Sequence, residues 1–444
     1  MVANASIQDV TRYKSCARRV RGLTADAAAA SWPYGWSLRL GSRLRGIDTF
    51  PKLAVGSPMN DLKGESFPEI REAVRRLCAR FPGEYWRALD RERAYPGEFV
   101  RAMTEAGFLS ALIPEEFGGS GLGLRAAVAI LEEVHASGGN GAACHAQMYT
   151  MGSLLRHGSD AQKAEYLPRI ASGELRLQAF GVTEPDAGTD TSRITTFAKR
   201  DGDSYVVSGR KIWISRAEHS DLMLLLCRTS RRDEAHATDG MSVLLIDMKK
   251  ALGAGLAVRP IRTMLNHATT ELTFDNLEVP TSSLIGEEGR GFRYILDGMN
   301  AERILIAAEC LGDARFFVDR ASRYAKERLV FGRPIGANQG VQFPLARAYV
   351  QMVSASLMVE RAASLFEAGE PCGAEANMAK LTASEASWYA ADMCLQTHGG
   401  FGFAEEFDIE RKFRETRLYQ VAPISTNLIL SHVATHVLGQ PKSF

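Results

Sequence analysis

The sequence has no apolar run long enough to cross a lipid bilayer, because a membrane-spanning helix needs about 20 predominantly apolar residues. It also has almost no net charge, formally +1 over 444 residues, so its overall charge gives no attraction to nucleic acid or to an anionic membrane. With 45% hydrophobic and 24% charged residues, the composition is that of an ordinary globular protein. We therefore expect two or three domains with substantial cores, no membrane span and no nucleic-acid partner.

Paired cysteines are also absent, since the seven cysteines are scattered and no two of them form a C-x-x-C motif. This pattern argues against a disulfide framework or a zinc site and favours reduced, mostly buried thiols in a cytoplasmic protein. The nearest approach to a metal motif is His432 and His436 on one helix face. A zinc-protease helix needs Glu after the first His, where this chain has Val433. We expect no metal site.

The known nucleotide-binding fingerprints are missing as well. The glycine-rich runs Gly118–Gly121 and Gly286–Gly291 lack the spacing and the flanking strand of a dinucleotide-binding or P-loop motif. The order of predicted elements is helices, then strands, then helices, with no β-α-β alternation. These features argue against a Rossmann or P-loop enzyme, and the pattern indicates an α+β protein.

Residues 1–58 differ in composition from the rest of the chain. Seven arginines stand against three acidic residues, and Ala27–Ala30 is a run of one residue type. Three interpretations remain open: an organelle presequence, which would send the protein to the mitochondrial matrix, a disordered tail, or sequence upstream of a true start at Met59. We favour the last of these and expect this Arg-rich extension to be disordered, with no function assigned.

Three domains are predicted after this extension, at 59–176, 177–286 and 287–444. The first is helical, with Ile70, Val74 and Leu77 at helix spacing, and Ile113–Gly121 forms a loop within it. The second is a compact β domain. Its predicted strands are Tyr205–Val207, between turns at Asp201-Gly202 and Ser208-Gly209, then Leu222–Cys227, Val243–Ile246 and Thr270–Val279. The third is a helical bundle with helices over Phe292–Leu311, Ala314–Leu329, Gln342–Ala368 and Ala374–Thr397.

The most informative motif is Phe180–Asp190, followed by Lys211–Ser215. Small residues allow backbone N–H groups to approach a ligand closely. Trp213, which we interpret as buried, and the Ser215 hydroxyl suit a flat aromatic ring system that needs hydrogen bonds at its edge. The residues alone also permit an ordinary turn and strand.

Three further segments each allow a structural and a functional interpretation. Glu302-Arg303, in an apolar helix, is either an ion pair or a carboxylate held in a pocket for chemistry. Arg328–Pro334 is either a basic helix end or a phosphate site built from two guanidinium groups. Gln396–Gly402 is either a helix-terminating loop or a backbone nest for a phosphate.

Taken together with Ile113–Gly121, Gly286–Phe292 and Leu418–Thr426, these motifs follow one another in a characteristic order. From about Phe67 to the C-terminus the sequence resembles the acyl-CoA dehydrogenase family. The resemblance implies a helical N-terminal domain, a β-barrel-like middle domain and a C-terminal four-helix bundle. It also implies an FAD cofactor between the middle and C-terminal domains, and a homotetramer.

The resemblance also implies roles for individual residues. Phe180, Val182 and Thr183 would line the flavin ring system, with Trp213 against it and Ser215 bonding near its reactive edge. The remaining cofactor contacts would be Arg328, Phe331, Gln339, Gln396, Gly399 and Gly400, facing the FAD of a neighbouring subunit, and Ser425 and Asn427, near its pyrophosphate or adenosine part. Thr189 and Arg303 would lie along the acyl-CoA site.

The chain departs from the family at the usual catalytic base. Many members carry a glutamate in a Y-E-G-T segment, where this sequence has Pro423. A minority, including the isovaleryl-CoA and long-chain types, carry the base on the helix that holds Glu302 here, and we expect Glu302 to be the base. Pro423 also lacks the N–H that would bind the thioester carbonyl. A neighbouring N–H such as that of Ile424, a one-residue slip in the match, or a weakened oxyanion site all remain open.

The resulting hypothesis is an FAD-dependent acyl-CoA dehydrogenase. It would convert an acyl-CoA thioester to the trans-2-enoyl-CoA and pass electrons to an electron-transfer flavoprotein. The absent C-terminal glutamate leaves a flavin oxidase or monooxygenase on the same fold as an alternative, and a non-catalytic member is a third. Acyl-chain length and branching stay open, and so does the pathway, fatty acid or branched-chain acyl-CoA catabolism.

Overall fold

The structure, a computed structural model, describes residues 66–442. The Arg-rich segment 1–58, with the presequence and disorder predictions that concern it, lies outside the described residues. No helix within the described range combines the length and the hydrophobicity that crossing a bilayer requires.

The first part of the described chain is helical, as predicted. Its helices are α1 (Pro68–Cys78), α2 (Gly83–Glu92), α3 (Gly97–Glu105), α4 (Leu124–Ala136), α5 (Ala142–His157) and α6 (Asp160–Ala171). Helix α1 buries Val74 and Leu77 three residues apart, which is the spacing of one helix face. Ile113–Gly121 is the expected loop, apart from one short 3₁₀ turn at Glu115–Phe117.

The middle part is one eight-stranded sheet. Its strands are β1 (Leu177–Gly181), β2 (Phe197–Asp201), β3 (Ser204–Ser215), β4 (Leu222–Arg228), β5 (Met241–Asp247), β6 (Leu256–Pro260), β7 (Thr269–Pro280) and β8 (Leu284–Ile285), with a short helix α7 (Met248–Ala251) after β5. The strand order is β6-β7-β3-β2-β4-β5-β8, and β1 pairs with β4 in parallel. The path of paired strands does not close into a barrel among the described residues.

The predicted turn at Ser208-Gly209, which would end strand β3, is wrong. Ser208-Gly209 does not end the strand, because β3 continues to Ser215 and pairs with β7 over most of this length. The register shifts between Val207 and Gly209, so the glycine forms a bulge instead of a turn. A side chain at Gly209, where φ is +149°, would collide with Thr196.

The sheet separates two hydrophobic cores, and the side chains of β4 point alternately into one core and the other. Leu224 and Leu226 pack with Met151 and Leu154 of α5, whereas Leu225 and Cys227 pack on the opposite face. Because β4 is buried on both faces, its sequence is a continuous apolar run with no polar alternation.

Up to residue 442, the C-terminal part contains three long α-helices and two shorter ones. They are α8 (Gly291–Glu327), α9 (Gln339–Glu367), α10 (Gly373–His398), α11 (Ile409–Arg417) and α12 (Thr426–His432); β9 (Leu329–Val330) and β10 (Arg333–Pro334) form a ribbon after α8. Helix α8 is continuous for 37 residues, so the predicted break between Leu311 and Ala314 is wrong. Gly312 does not end the helix; it allows close packing, since a Cβ there would lie 2.3 Å from the Glu132 carbonyl oxygen of α4.

The six cysteines within the described residues are free and buried, as the scattered pattern predicted. His432 and His436 stack on each other with ring centroids 4.4 Å apart. Between residues 66 and 442, no group of three or more His, Cys, Asp or Glu side chains has an arrangement that could hold a metal ion.

Candidate active site

The two sequence motifs of the predicted flavin seat lie side by side. The backbone N–H of Ile212 donates to the Thr183 carbonyl at 2.9 Å, and the Lys211 ammonium donates to the Val182 carbonyl at 2.8 Å. We call Phe180–Thr183 and Lys211–Ser215 together the ring seat. Strand β1 and the end of β3 therefore form one continuous surface, although 27 residues separate Lys211 from Glu184 in the sequence.

A buried ion pair beneath the ring seat fixes its geometry. Lys211 Nζ lies 2.9 Å from Glu184 Oε1, and both side chains are almost completely buried. Glu184 also accepts backbone N–H groups of Thr195 and Thr196 at 2.7 and 2.9 Å. Burial raises the pKa of Glu184, but Lys211 and these donors lower it further, so the carboxylate remains ionised. Because every partner is satisfied, the loop after β1 has little freedom to move.

The prediction that Trp213 is buried is wrong. Its side chain is 58% exposed and its φ is +62°. The pairing of β3 with β7 shifts register between Lys211 and Ile214, and this irregularity turns the indole out of the core. A large aromatic ring held outward on a rigid strand is available to stack against a bound ring system.

The other predicted cofactor residues of the C-terminal part are mostly at the surface. Arg328, Gln339, Gln396, Gly399 and Gly400 are exposed, and Phe331 is fully exposed. The guanidinium of Arg328 lies 5.9 Å from the centroid of the Phe401 ring, so the end of α8 and the loop after α10 meet. A Cβ at Gly399 or Gly400 would meet no atom within 4 Å, so the backbone there is open to a ligand.

Ser425 and Asn427 lie at the start of α12. The Ser425 hydroxyl accepts the backbone N–H of Leu428 at 3.3 Å and caps the helix, while Asn427 is exposed. The preceding segment is held by the Lys380 ammonium, which donates to the Ile424 carbonyl at 2.8 Å. Pro423, where many family members would have the base, is exposed and carries no acid.

Glu302 is buried without an ion-pair partner. Only 8% of the residue is exposed, and among residues 66–442 no cationic group lies within 4 Å of its carboxylate. The adjacent Arg303 hydrogen-bonds Asn300 at 2.9 Å instead. Burial raises the pKa of the Glu302 carboxyl to about 7, against the lowering effects of Arg303 and Tyr149. Of the two interpretations left open by the sequence, this geometry supports a carboxylate held for chemistry.

Tyr149, on α5, links Glu302 to the ring seat and was missed by the sequence analysis. Burial raises the pKa of its hydroxyl well above the usual value, the Glu302 carboxyl adds to this rise, and the edge of its ring contacts Phe180 at a centroid distance of 6.1 Å. A polar aromatic residue between Met148 and Met151, on an otherwise buried helix, was the available signal. Glu302, Tyr149 and Phe180 therefore line one site between α8, α5 and β1.

Arg216, immediately after β3, was also missed. It is 4% exposed, and its Nη2 lies 3.1 Å from His267 Nδ1. Burial lowers the pKa of His267 well below its usual value, with Arg216 acting in the same direction, so the imidazole is neutral.

Of the two predicted substrate-binding residues, Thr189 is exposed in the loop after β1, and Arg303 is half-buried next to Glu302.

Comparison with known proteins agrees with this arrangement along the chain. Residues 65–174, 179–277 and 289–438 match the family descriptions "Acyl-CoA dehydrogenase" N-terminal, middle and C-terminal domain. An acyl-CoA dehydrogenase of Mycobacterium tuberculosis, FadE12, is 33% identical over 388 residues, covering 86% of this chain and 98% of that protein. The chain belongs to the acyl-CoA dehydrogenase family.

Solved structures of this family's fold match to similar extents. A chain from a structure described as "Electron transferring flavoprotein of Acidaminococcus fermentans" has a TM-score of 0.79 and 30% identity, and covers 84% of this chain and 97% of its own length. The structure "FAD complex of PigA" has a TM-score of 0.79 and 25% identity, over 85% of this chain and 98% of its own. As an acyl-CoA dehydrogenase family member the protein is an FAD-dependent oxidoreductase that acts on a CH–CH group.

The residues present fit FAD. The outward-turned indole of Trp213 suits the face of an isoalloxazine ring, and the exposed guanidinium of Arg328 suits a phosphate group. The open backbone at Gly399 and Gly400 would allow close approach of the same group. An acyl-CoA dehydrogenase also needs a base next to the flavin. Glu302 interacts with Tyr149, and the ring of Tyr149 contacts Phe180 of the ring seat.

Proposed function

We propose that this protein is an acyl-CoA dehydrogenase that uses Glu302 to remove the α-proton of an acyl-CoA thioester. The observation that carries the proposal is the burial of Glu302 without an ion pair in the described part of the chain. A surface carboxylate is too weak a base for this proton, whereas burial raises the pKa of Glu302 to about 7. At neutral pH a large fraction is ionised and ready to accept a proton.

In the proposed reaction, bound FAD supplies the acceptor for the β-hydride. The ionised Glu302 takes the α-proton, and its apolar surroundings on α8 exclude the water that would weaken it as a base. Arg303 lies next to it and moderates the rise of its pKa. Pro423 donates no N–H to the thioester carbonyl, so the family's usual oxyanion contact at that position is absent.

The binding roles form part of the same proposal. Phe180, Val182, Thr183, Trp213 and Ser215 would hold the flavin ring, and Thr189 and Arg303 the acyl-CoA. Arg328, Phe331, Gln339, Gln396, Gly399, Gly400, Ser425 and Asn427 would hold the rest of FAD. The exposure of Arg328 and Phe331 supports their contact with the cofactor of a neighbouring subunit.

A homotetramer is supported by an apolar stripe on α9. Phe343, Val350 and Leu357 follow one another at intervals of seven residues and are 61%, 61% and 70% exposed. Seven residues are two helical turns, so the three side chains lie on one face. We propose that another copy of the chain covers this stripe. The domain bounds 59–176, 177–286 and 287–444, and a cytoplasmic location, stay predictions.

We also propose an electron-transfer flavoprotein as the acceptor of the electrons, because one structural relative comes from the structure of an electron transferring flavoprotein of Acidaminococcus fermentans. Pro423 in place of the usual glutamate favours, as the second candidate, a flavin oxidase or monooxygenase on the same fold. The two candidates differ in how fast molecular oxygen consumes the reduced flavin.

An anaerobic titration of the FAD-loaded protein with a panel of acyl-CoAs tests the proposal. Straight, branched and long acyl chains are added in turn, with free CoA as the control, while the visible absorbance of the flavin is followed. We expect at least one acyl-CoA to bleach the flavin and an electron-transfer flavoprotein to reoxidise it. Failure of every acyl-CoA would overturn the proposal, and rapid oxygen consumption in air without the partner would favour the oxidase.

A further inference from the structure

We propose that Arg216 and the N-terminal end of α5 form a carboxylate-binding subsite beside the ring seat. The subsite takes a carboxylate at the far end of the substrate's acyl chain, so the substrate is the CoA thioester of a dicarboxylic acid. The inference rests on the proposed function and names a substrate class for it. It is carried by a buried guanidinium whose charge no carboxylate pairs with in the described part of the chain.

Arg216 is deeply buried but has very few partners. Only 4% of the residue is exposed, and among residues 66–442 its one side-chain hydrogen-bond partner is His267, with 3.1 Å between Nη2 and Nδ1. A guanidinium has several N–H donors and always carries its charge. His267 is neutral, because burial lowers its pKa well below the usual value. A buried charge without a counter-charge is costly, and an anionic ligand would remove that cost.

Arg228 shows how the same chain satisfies a buried guanidinium with a structural role. It is also 4% exposed. Its side chain donates to backbone carbonyl oxygens at 2.6 to 3.2 Å, those of Ser192, Ile194, Ala237 and Asp239. At equal burial, Arg216 lacks such acceptors, which indicates that its donors serve a ligand.

Arg216 lines a small cavity together with His267, Asn140 and Ala143. Asn140 and Ala143 stand at the N-terminal end of α5, where the helix dipole favours negative charge. The Asn140 Oδ1 accepts the backbone N–H of Ala142 at 2.9 Å, which leaves the amide NH₂ group free to donate. The cavity volume of about 40 Å³ suits a small group. A planar carboxylate matches a guanidinium in both charge and geometry.

The cavity wall also contains two carboxylates, but each has its own cation. Asp90 pairs with Arg414 at 2.6 Å, and Glu415 pairs with Arg411 at 2.8 Å. Neither forms an ion pair with Arg216 within the described residues. Their presence therefore leaves the charge of Arg216 available to a ligand.

One face of α5 connects this cavity with the ring seat. Tyr149 contacts Phe180 of the ring seat at a centroid distance of 6.1 Å and stacks on His145, one helical turn earlier, at 5.6 Å. Ala143, at the cavity, precedes Tyr149 by six residues, which is about 9 Å along the helix axis. On the other side, Arg216 directly follows the ring seat in the sequence. An extended acyl chain with its thioester at the ring seat would therefore place its far end at the cavity.

Equilibrium binding of matched CoA thioesters tests the subsite by isothermal titration calorimetry. The FAD-loaded Glu302→Gln protein is used so that chemistry does not disturb binding, and the pairs are succinyl- and butyryl-CoA, glutaryl- and valeryl-CoA, and adipyl- and hexanoyl-CoA. In at least one pair we expect the carboxylate-ended thioester to bind about ten- to a hundredfold more tightly. Adding Arg216→Met should abolish this preference, mainly by weakening the binding of the carboxylate-ended member, and Arg216→Lys should keep part of it.

Arg259→Met is the matched control, because the side chain of Arg259, on β6, is 81% exposed and lies outside the cavity. This variant should keep the preference. Equal affinities within every pair, or a preference that survives Arg216→Met, would overturn the inference. Stabilisation by acetate alone, without a preference within the pairs, would overturn the substrate class. If no acyl-CoA bleaches the wild-type flavin, the proposed function fails, and the binding comparison still decides the subsite.

A second measurement needs no acyl-CoA. The melting temperatures of FAD-loaded Arg216→Met and Arg228→Met are compared with that of the wild type. Methionine at 216 removes an unbalanced buried charge, whereas at 228 it leaves buried carbonyl oxygens without their donor. We expect Arg216→Met to melt no lower than the wild type and Arg228→Met to melt several degrees lower. A loss in Arg216→Met as large as that in Arg228→Met would assign Arg216 a structural role and overturn the inference.

Discussion

At the scale of single residues, the environment of Glu302 decides what its carboxylate can do. The neighbouring guanidinium of Arg303 binds Asn300, so the desolvation of Glu302 is not offset by a direct ion pair. Burial outweighs the lowering effects of Arg303 and Tyr149 on the pKa of the carboxyl. The pKa is therefore raised, as a base near neutral pH requires.

The raised pKa of Glu302 should be visible in the pH dependence of the free energy of unfolding. The folded-state pKa of Glu302 is about 7 against an ordinary value of 4.5. Below pH 4.5 the carboxyl is protonated in both states, and stability is then lost as pH rises to about 7. The total loss in the free energy of unfolding reaches about 3 kcal/mol, and this loss stays constant once the pH is above the folded-state pKa. Wild type and Glu302→Gln should therefore differ increasingly between pH 5 and pH 8 in urea unfolding. A pH-independent difference would contradict the raised pKa, and Glu98→Gln, at an exposed site of α3, is the control.

Trp213→Ala should weaken FAD binding without destabilising the apoprotein. The indole is 58% exposed, so its removal costs the apoprotein about 0.5 kcal/mol or less, while the stacking contact with the flavin is lost. The measurement is the FAD dissociation constant from flavin fluorescence, with the unfolding midpoint of the apoprotein beside it. Leu252→Ala, at another exposed apolar residue, is the control. Unchanged FAD affinity would contradict a role for Trp213 in binding the flavin ring.

The sequence predicted Glu302 through family resemblance, but its partners could not be found in the same way. Whether a carboxylate in an apolar helix is paired depends on which side chains other helices bring to it. Tyr149 lies 153 positions upstream of Glu302, and no local pattern connects the two. Trp213 was wrongly expected to be buried because a bulge, which no strand pattern reveals, reverses the direction of one side chain.

At the scale of elements, the fold is held together by buried charges as well as by apolar cores. Lys412 of α11 is fully buried and donates to the Gly139 carbonyl at 2.9 Å. It also pairs with Asp313 of α8, whose other partner is His135 of α4. Helices α4, α8 and α11 are thus joined by one polar network in which each member needs the others.

Lys412→Met should destabilise the fold strongly, because it removes the buried cation that pairs with both Asp313 and Glu415 and leaves only His135 opposite Asp313. We expect a loss of about 3–5 kcal/mol in the free energy of unfolding, measured by chemical denaturation. The matched control is Lys249→Met, since Lys249 is 78% exposed in its pair with Asp221, and exposed pairs contribute about 0–1 kcal/mol. Similar losses in the two variants would show that the network is not required.

The elements themselves were predictable to a large extent. Helical and strand periodicity located the three parts, and the apolar run of β4 and the long helices α9 and α10 were found near their observed bounds. The two misplaced breaks share one physical reason. Gly209 and Gly312 are glycines because other atoms come too close for a side chain, and this cause is tertiary. Locally, both resemble the glycines that end elements.

At the scale of the whole molecule, the proposed assembly of several copies of the chain depends on the apolar stripe of α9. A charged residue on the stripe should disrupt it, because burying an unpaired ammonium in an apolar interface is costly. We expect Val350→Lys/Leu357→Lys to have a smaller mass than the wild type in analytical ultracentrifugation and to bind FAD more weakly. Leu252→Lys, outside the stripe, should keep the wild-type mass. An unchanged mass of the double variant would refute the stripe as a subunit interface.

The most direct test of Glu302 as the base is rapid anaerobic mixing of FAD-loaded Glu302→Gln with an acyl-CoA that bleaches the wild type. Glutamine keeps the size and the hydrogen-bonding capacity of the side chain but cannot accept the α-proton. We expect the variant to bind FAD and substrate normally and to reduce the flavin more slowly by several orders of magnitude. Reduction at a rate near that of the wild type would contradict it.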